Sequence, residues 1–345
     1  MADAYRFSFE PWNIHEGADP FGPPIRPTVE FAEQIRQYKK LGFDAVQFHD
    51  DDAVPNVDSL SPAQVEKAAA EMKKLLDGEG LSVEIIAPRL WEDPRGVDGG
   101  YTANDPAARK WAIERSRRCI DIGRMLGCEL VVLWLAREGT YIREAKSAIE
   151  AHRQLAEAID AMLDHSRSVR IAIEPKPNEP MDLAYIPTIG HALALAHRTS
   201  DPARVGGLIE SAHALLAGLD PSDEMAFALE QGKLWSVHLN DQNGLKFDQD
   251  KAFGSVNLRV AFNQVRVLEE AGYAKIGCVG LDVKAMRTQK ADVATAHLSN
   301  SRRIFLALVD KVRSFDRKLY QQCIESRDYE ALDLAVMEHL MDLRA

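Results

Sequence analysis

Leu41-Gly42-Phe43-Asp44-Ala45-Val46-Gln47-Phe48-His49 carries the reading of the fold. Residues 29–40 before it hold apolar side chains at helical spacing, and Leu41-Gly42 stands where such a helix must stop. Residues 43–48 form a short β-rich run that delivers His49 at its exit. The same unit recurs further along. Leu126-Gly127 closes a helical stretch at 107–126 before a strand expected at 129–133, and Ala271-Gly272 closes 258–270 before one expected at 278–283. Further strands are expected at 6–9, 82–86, 170–174, 205–209 and 234–239, with helical segments at 62–76, 144–166, 189–198 and 224–230 between them. Eight strands, each followed by a helix, is the count of an α/β chain closed into a (β/α)8 barrel.

A barrel of this kind needs about 250 residues, so 345 residues suit one barrel with long loops and a helical extension. The barrel is assigned to residues 1–290 and the extension to 291–345. In that tail Leu332, Val336, Leu340 and Leu343 recur three or four residues apart, the stripe of an amphipathic helix that packs on the barrel or on a partner subunit. The 42 Lys and Arg against 53 Asp and Glu leave a net charge of −11, which argues against nucleic acid and anionic membrane as partners. Residues 1–6 show no basic segment followed by an apolar one, and no apolar stretch approaches the ~18 residues needed to span a bilayer. A cytoplasmic location is therefore expected, with Cys119, Cys128, Cys278 and Cys323 as reduced structural thiols.

In this architecture the chemistry gathers where strands exit into loops. Trp12 and His15 follow the first strand, His49 the second, Trp91 the third and Trp134 the fourth; Glu174, Glu210, His238 and Asp282 stand at the fifth to eighth exits. Taken singly, a Glu or His at a strand end is an ordinary rim residue. Four metal-capable groups on four successive exits converge on one half of the barrel mouth, where carboxylates would repel one another unless a divalent cation joined them. His213 follows Glu210 by three residues, and Asp248 and Asp250 stand two apart, so both aspartates of an extended segment can face one ion. Carboxylate-rich shells with an imidazole suit Mg2+, Mn2+ or Co2+.

Several segments then resemble the D-xylose (glucose) isomerase family. They are Phe48-His49-Asp50-Asp51-Asp52, Ile173-Glu174-Pro175-Lys176-Pro177-Asn178-Glu179-Pro180 and Gln242-Asn243-Gly244-Leu245-Lys246-Phe247-Asp248-Gln249-Asp250, with Asp19-Pro20-Phe21-Gly22, Gly99-Gly100-Tyr101-Thr102-Ala103-Asn104-Asp105, Arg137-Glu138-Gly139 and Asp282-Val283-Lys284 in the same order. The likeness runs from about residue 6 to 315. It implies a TIM barrel that holds two divalent cations and interconverts an aldose and its ketose by a 1,2-hydride shift. By that resemblance Glu174, Glu210, His238 and Asp282 hold the first cation, and Glu210, His213, Asp248 and Asp250 the second. It further implies that His49, oriented by Asp52, assists ring opening, and that Lys176 polarises the carbonyl oxygen at C1. Trp12, Trp91 and Trp134 would wall the sugar, and Phe21 would reach into a neighbouring subunit of a homodimer or homotetramer.

The chain departs from the family at several points. His238 stands where the family carries Asp, which makes the first cation site less anionic and tilts it toward Mn2+ or Co2+. Ala87-Pro88-Arg89-Leu90-Trp91, Leu135-Ala136 and His15-Glu16 replace smaller or differently polar residues, and the C-terminal tail is shorter. Arg89, His15 and Glu16 are expected to add polarity to the pocket and Leu135 to add bulk, so another or an acidic sugar is open. A ketose epimerase or inosose isomerase working through an enediolate, and a sugar-binding barrel with little turnover, stand as alternatives. A three-metal phosphodiesterase on the same barrel would need a basic groove, which the charge disfavours.

Overall fold

Phe7 and Phe9 are buried against Phe43, and Phe7 also meets Phe305, while Ser8 between them points the other way. That alternation sorts the first strand into a helix-facing side and a barrel-facing side. A computed structural model describes residues 4–135, 137–293 and 295–343. The barrel strands are β1 (Phe7–Phe9), β2 (Ala45–His49), β3 (Ser82–Ala87), β4 (Leu130–Trp134), β5 (Arg170–Glu174), β6 (Val205–Glu210), β7 (Leu234–His238) and β8 (Val279–Gly280). All pair in parallel, and the β1–β8 ladder closes the ring. The expected eight-strand barrel is the observed fold.

Eight helices surround it: α1 (Phe31–Lys40), α2 (Pro62–Glu79), α3 (Pro106–Leu126), α4 (Ala148–His165), α5 (Ile189–Ala196), α6 (Pro221–Glu230), α7 (Leu258–Glu270) and α8 (Ala296–Ser314). Local chemistry sets their ends. Ser61 and Gln64 form a capping box with Pro62 at the first helical position of α2, and Asp105 caps α3 by accepting from the Ala107 N–H at 2.8 Å. The glycines after α1, α3 and α7 take left-handed φ values of 83°, 81° and 64°, as the stop dipeptides require.

Three differences from the sequence expectations have physical causes. The eighth strand forms a ladder only over Val279–Gly280, because the chain then turns so that Asp282 meets Trp12 and Asn13. Gly139–Thr140 and Leu183–Ala184 pair as an antiparallel ribbon outside the barrel; two-residue strands are too short to carry a periodic signal. The third concerns how the extension assigned to 291–345 is arranged. Helix α8 occupies the eighth helical place, with Phe305 edge-on to Tyr5 and Phe7 at 4.9 and 5.6 Å, so the tail proper is α9 (Arg317–Ser326) and α10 (Tyr329–Leu340). Val336 and Leu340 pack on the core, whereas Leu343 lies past the helix end and is exposed.

All four cysteines are buried free thiols. Among the described residues no helix is long and apolar enough to cross a membrane.

Candidate active site and metal centre

Parallel register brings the strand exits to one level. Trp134 pairs with Glu174, and Glu210 with His238, so the last residues of β4 to β7 open onto the same end of the barrel. There they line a cavity of about 430 Å³. His238 Nδ1 lies 3.6 Å from Glu174 Oε1 and 3.8 Å from Asp282 Oδ2. A short helix, Ser211–Leu216, starts straight after Glu210, and its first turn swings His213 back: Nε2 is 3.2 Å from Glu210 Oε2 and Nδ1 is 3.5 Å from Glu174 Oε1. The loop after β7 brings Asp248 Oδ2 to 3.0 Å from His213 Nε2 and 2.7 Å from Lys176 Nζ. Asp250 joins Glu210 and Asp282 in a triad whose ligand atoms lie within 4.8 Å of one another, and Glu174, Glu210 and His213 form another. The seven side chains expected at the metal shells therefore share one contiguous cluster, with Glu210 common to two triads.

Crowding of carboxylates perturbs their protonation. Burial, with the Asp282 charge, pushes Glu10 well above the ordinary carboxylate range. Burial and the Asp248 charge do the same to Glu210 and Asp250. Burial acts against ionised Glu174 and Asp248 too, but His238 holds the first below its usual value and His213 with Lys176 the second. Burial likewise opposes charge on His238, and the adjacent Glu174 outweighs it, so its pKa lies above the usual one. Both oxygens of Glu10, Nδ1 of His213, Nδ1 of His238 and Oδ1 of Asp248 are buried without a hydrogen-bond partner. Such orphans carry a high free-energy penalty. A divalent cation would satisfy this donor set of oxygens and imidazole nitrogens, so the residues fit one.

The sugar-handling groups expected from the sequence line the same cavity. His49 Nδ1 lies 3.0 Å from Asp52 Oδ2 and 2.6 Å from Arg89 Nη2, while Arg89 Nη2 also donates to Asp52 Oδ1 at 2.8 Å. Burial would raise the Asp52 pKa, but His49 and Arg89 keep it low. Trp12 packs on the His49 ring at 4.5 Å and its Nε1 donates to Asp282 Oδ1 at 3.1 Å. Trp91 stands edge-on to His49 at 4.9 Å and to Trp134 at 4.6 Å, and Lys176 Nζ lies 5.2 Å from the Trp134 ring. Phe21 is 97% exposed and does not line this chain's cavity. Neither do His15, Glu16 or Leu135. The expected pocket polarity from the first two is corrected: His15 Nδ1 accepts the Gly17 N–H at 2.9 Å and backbone oxygens of both hold Arg26 or its neighbour, which shapes the loop. Leu135 is buried in the hydrophobic core, so its bulk falls there, and Ala136 lies outside the described residues.

Comparison with known proteins bears on what such a site belongs to. The family described as "Xylose isomerase-like TIM barrel" matches residues 35–299. The chain belongs to that family. It is 35% identical over 316 residues to the xylose isomerase of Thermus thermophilus, covering 90% of this chain and 81% of the relative. Solved structures of a D-psicose 3-epimerase (TM-score 0.64, 12% identity, 88% of this chain and 99% of the other) and an L-ribulose 3-epimerase (TM-score 0.64, 17% identity, 91% and 96%) share the fold.

Within the family frame, several residues of the site went unread in the sequence. Glu10, at the exit of β1, is 1% exposed and forms a third ligand triad with His238 and Asp282. Its signal was its phase: Ser8 and Glu10 share the barrel-facing side of β1. Asn240 donates from Nδ2 to Glu210 Oε1 at 2.8 Å while its own Oδ1 accepts the Ala212 N–H, which fixes the central carboxylate. Two residues of the quoted motifs have structural roles. Glu138 is buried and accepts the N–H groups of Gly100, Tyr101 and Thr102, tying Arg137-Glu138-Gly139 to the glycine-rich loop. Asp50 is fully buried against Arg115 and accepts the Arg89 N–H, so it anchors the turn that carries His49 and Asp52.

Proposed function

We propose that the chain interconverts an aldose and its ketose in the open-chain form, with two divalent cations per subunit drawn from Mn2+, Mg2+ or Co2+. One observation carries this reading: Glu174, Glu210, His213, His238, Asp248, Asp250 and Asp282 converge in one cavity that also holds Lys176 and His49. Bound cations would supply Lewis-acid stabilisation of sugar oxygens and lower the pKa of a bound water. The rest falls to the chain's own side chains. With an Nδ1–H directed to Asp52 Oδ2, His49 has the Nε2 lone pair left for the proton that moves when a sugar ring opens. Lys176 is buried, yet Asp248 keeps it protonated, so its ammonium can donate to the carbonyl oxygen at C1. Trp12, Trp91 and Trp134 offer flat apolar walls that stack on the sugar and exclude water while hydrogen passes from C2 to C1 as hydride.

Metal-stripped protein, reloaded with each cation and given a panel of pentoses and hexoses, tests the reading by product chromatography. Conversion of at least one aldose to its ketose is expected; no conversion of any sugar overturns it, and tight binding without turnover selects a sugar-binding barrel. A second reading, epimerisation through an enediolate, is favoured by Glu10, whose buried carboxyl with a raised pKa beside His238 suits a proton carrier. Deuterium from solvent in the product selects that route over the hydride shift. Phe21, almost fully exposed on the Asp19–Gly22 turn, supports assembly in which a second copy receives it. Mass in solution, compared between the wild type and Phe21→Ser, tests that assembly.

A further inference from the structure

Branched apolar side chains ordinarily fill the inside of a (β/α)8 barrel. Beneath the cavity this barrel instead stacks polar side chains from four strands: Ser8, Gln47, Glu84 and Ser236, of which Ser8, Gln47 and Ser236 are fully buried. Room for them comes from Gly280, where a Cβ would lie 2.7 Å from Gln47 Nε2 and 3.0 Å from His238 Cδ2. The chain of contacts has one direction. Glu84 accepts from Gln47 Nε2 at 2.9 Å and from Ser236 Oγ at 3.0 Å. Gln47 Nε2 also donates to Ser8 Oγ at 3.0 Å, so the amide nitrogen faces Glu84 and Ser8 and the amide oxygen faces the cavity. Gln47 Oε1 there lies 2.6 Å from His238 Nε2. An amide oxygen only accepts, so Nε2 is the ring nitrogen that carries hydrogen. Glu10 Oε1 lies 3.1 Å from the same nitrogen. In a neutral imidazole the lone pair then sits on Nδ1. That atom is buried, has no hydrogen-bond partner, and faces Glu174 and Asp282.

We propose that Gln47, itself oriented by Glu84, is a positioning residue that holds His238 in the Nε2–H tautomer and so turns the Nδ1 lone pair toward the cation site. The inference rests on the metal-dependent reading above and deepens it: side chains of strands β2 and β3, outside the expected ligand set, set the ligand strength of His238 on β7. Outer hydrogen-bond partners of a ligating histidine commonly change metal affinity by roughly 10–100-fold.

Free Mn2+ measured by electron paramagnetic resonance during titration of the full chain gives the test, with melting curves to verify folding. Gln47→Met keeps the side-chain length and removes the acceptor; it should weaken one Mn2+ site by roughly tenfold or more and leave the other unchanged. Glu84→Gln, which keeps the volume and lets the Gln47 amide turn over, should give a smaller loss at the same site. In a His238→Ala background Gln47→Met should weaken binding no further, because its effect passes through that ring. A wild-type chain that takes up no Mn2+ overturns the metal-dependent reading itself. Tight wild-type binding with unchanged affinity in both folded variants, or full additivity of Gln47→Met and His238→Ala, overturns this proposal alone.

Discussion

Lys176 shows how a single side chain answers to two neighbours. It is 5% exposed, pairs with Asp248 at 2.7 Å and stands near Glu179 at 3.9 Å, so its charge is retained despite burial. Lys176→Met keeps the apolar stem and removes the ammonium. Turnover should fall by roughly two to three orders of magnitude with Mn2+ still bound, as a lost stabiliser of developing charge does; turnover near wild type would assign the carbonyl-polarising role elsewhere. Glu210 is central in another sense, since two of the ligand triads share it and Asn240 holds one of its oxygens. Glu210→Gln should weaken both Mn2+ sites together in an equilibrium titration, whereas a loss confined to one site would deny it a bridging role.

Elements impose their own constraints. Helix α8 is tied to the exit of β1 through His297, whose Nε2 donates to the Asn13 carbonyl at 2.8 Å. Burial is the main reason that its pKa is pushed down to about 4, from the ordinary 6.5. The folded chain therefore holds this imidazole neutral where the unfolded chain would protonate it. Its contribution is intact above pH 6.5 and is lost as pH falls toward 4, a span of roughly 3 kcal/mol. Metal-free wild type should thus lose stability over that range in denaturant titrations, and His297→Gln should lose less; equal slopes would contradict the assignment. At β8, a Cβ on Gly280 would also come within 2.6 Å of the Val237 carbonyl, a backbone atom that cannot yield. Gly280→Ala should lower stability by about 1–3 kcal/mol and loosen cation binding together.

At the scale of the whole molecule, a bound cation would be coupled to barrel closure. Ligand-bearing elements span from β1 to β8, so a cation that binds only the folded chain stabilises the entire ring. At a hundredfold excess over Kd, Mn2+ should add about 2.7 kcal/mol per site, read as a rise in Tm that EDTA reverses. A Tm indifferent to both would mean that the cluster holds no cation. The tail is a separate matter. Helix α10 packs on the core through Val336 and Leu340, and Lys311 donates to the His339 carbonyl, all remote from the cavity. Removing residues 316–345 should lower Tm while leaving Mn2+ affinity as it is.

Local signals were enough to order the elements and to name most of the cluster. Alternation, glycine stops and capping residues act over a few neighbours, so strands and helices, and with them the exits that carry Glu174, Glu210, His238 and Asp282, can be read along the chain. Glu10 and Gln47 needed one more step, because a polar residue in the barrel-facing phase of a strand looks like any other until the ring around it is known. Tertiary closure alone decided which groups meet. Trp12 and Asp282 are 270 residues apart and hydrogen-bonded, and Gln47 and His238 are 191 apart with an amide fixing a ring. Protonation, tautomer and exposure follow from such meetings, since they depend on local dielectric and on charges a few ångströms away in space rather than on neighbours in the chain.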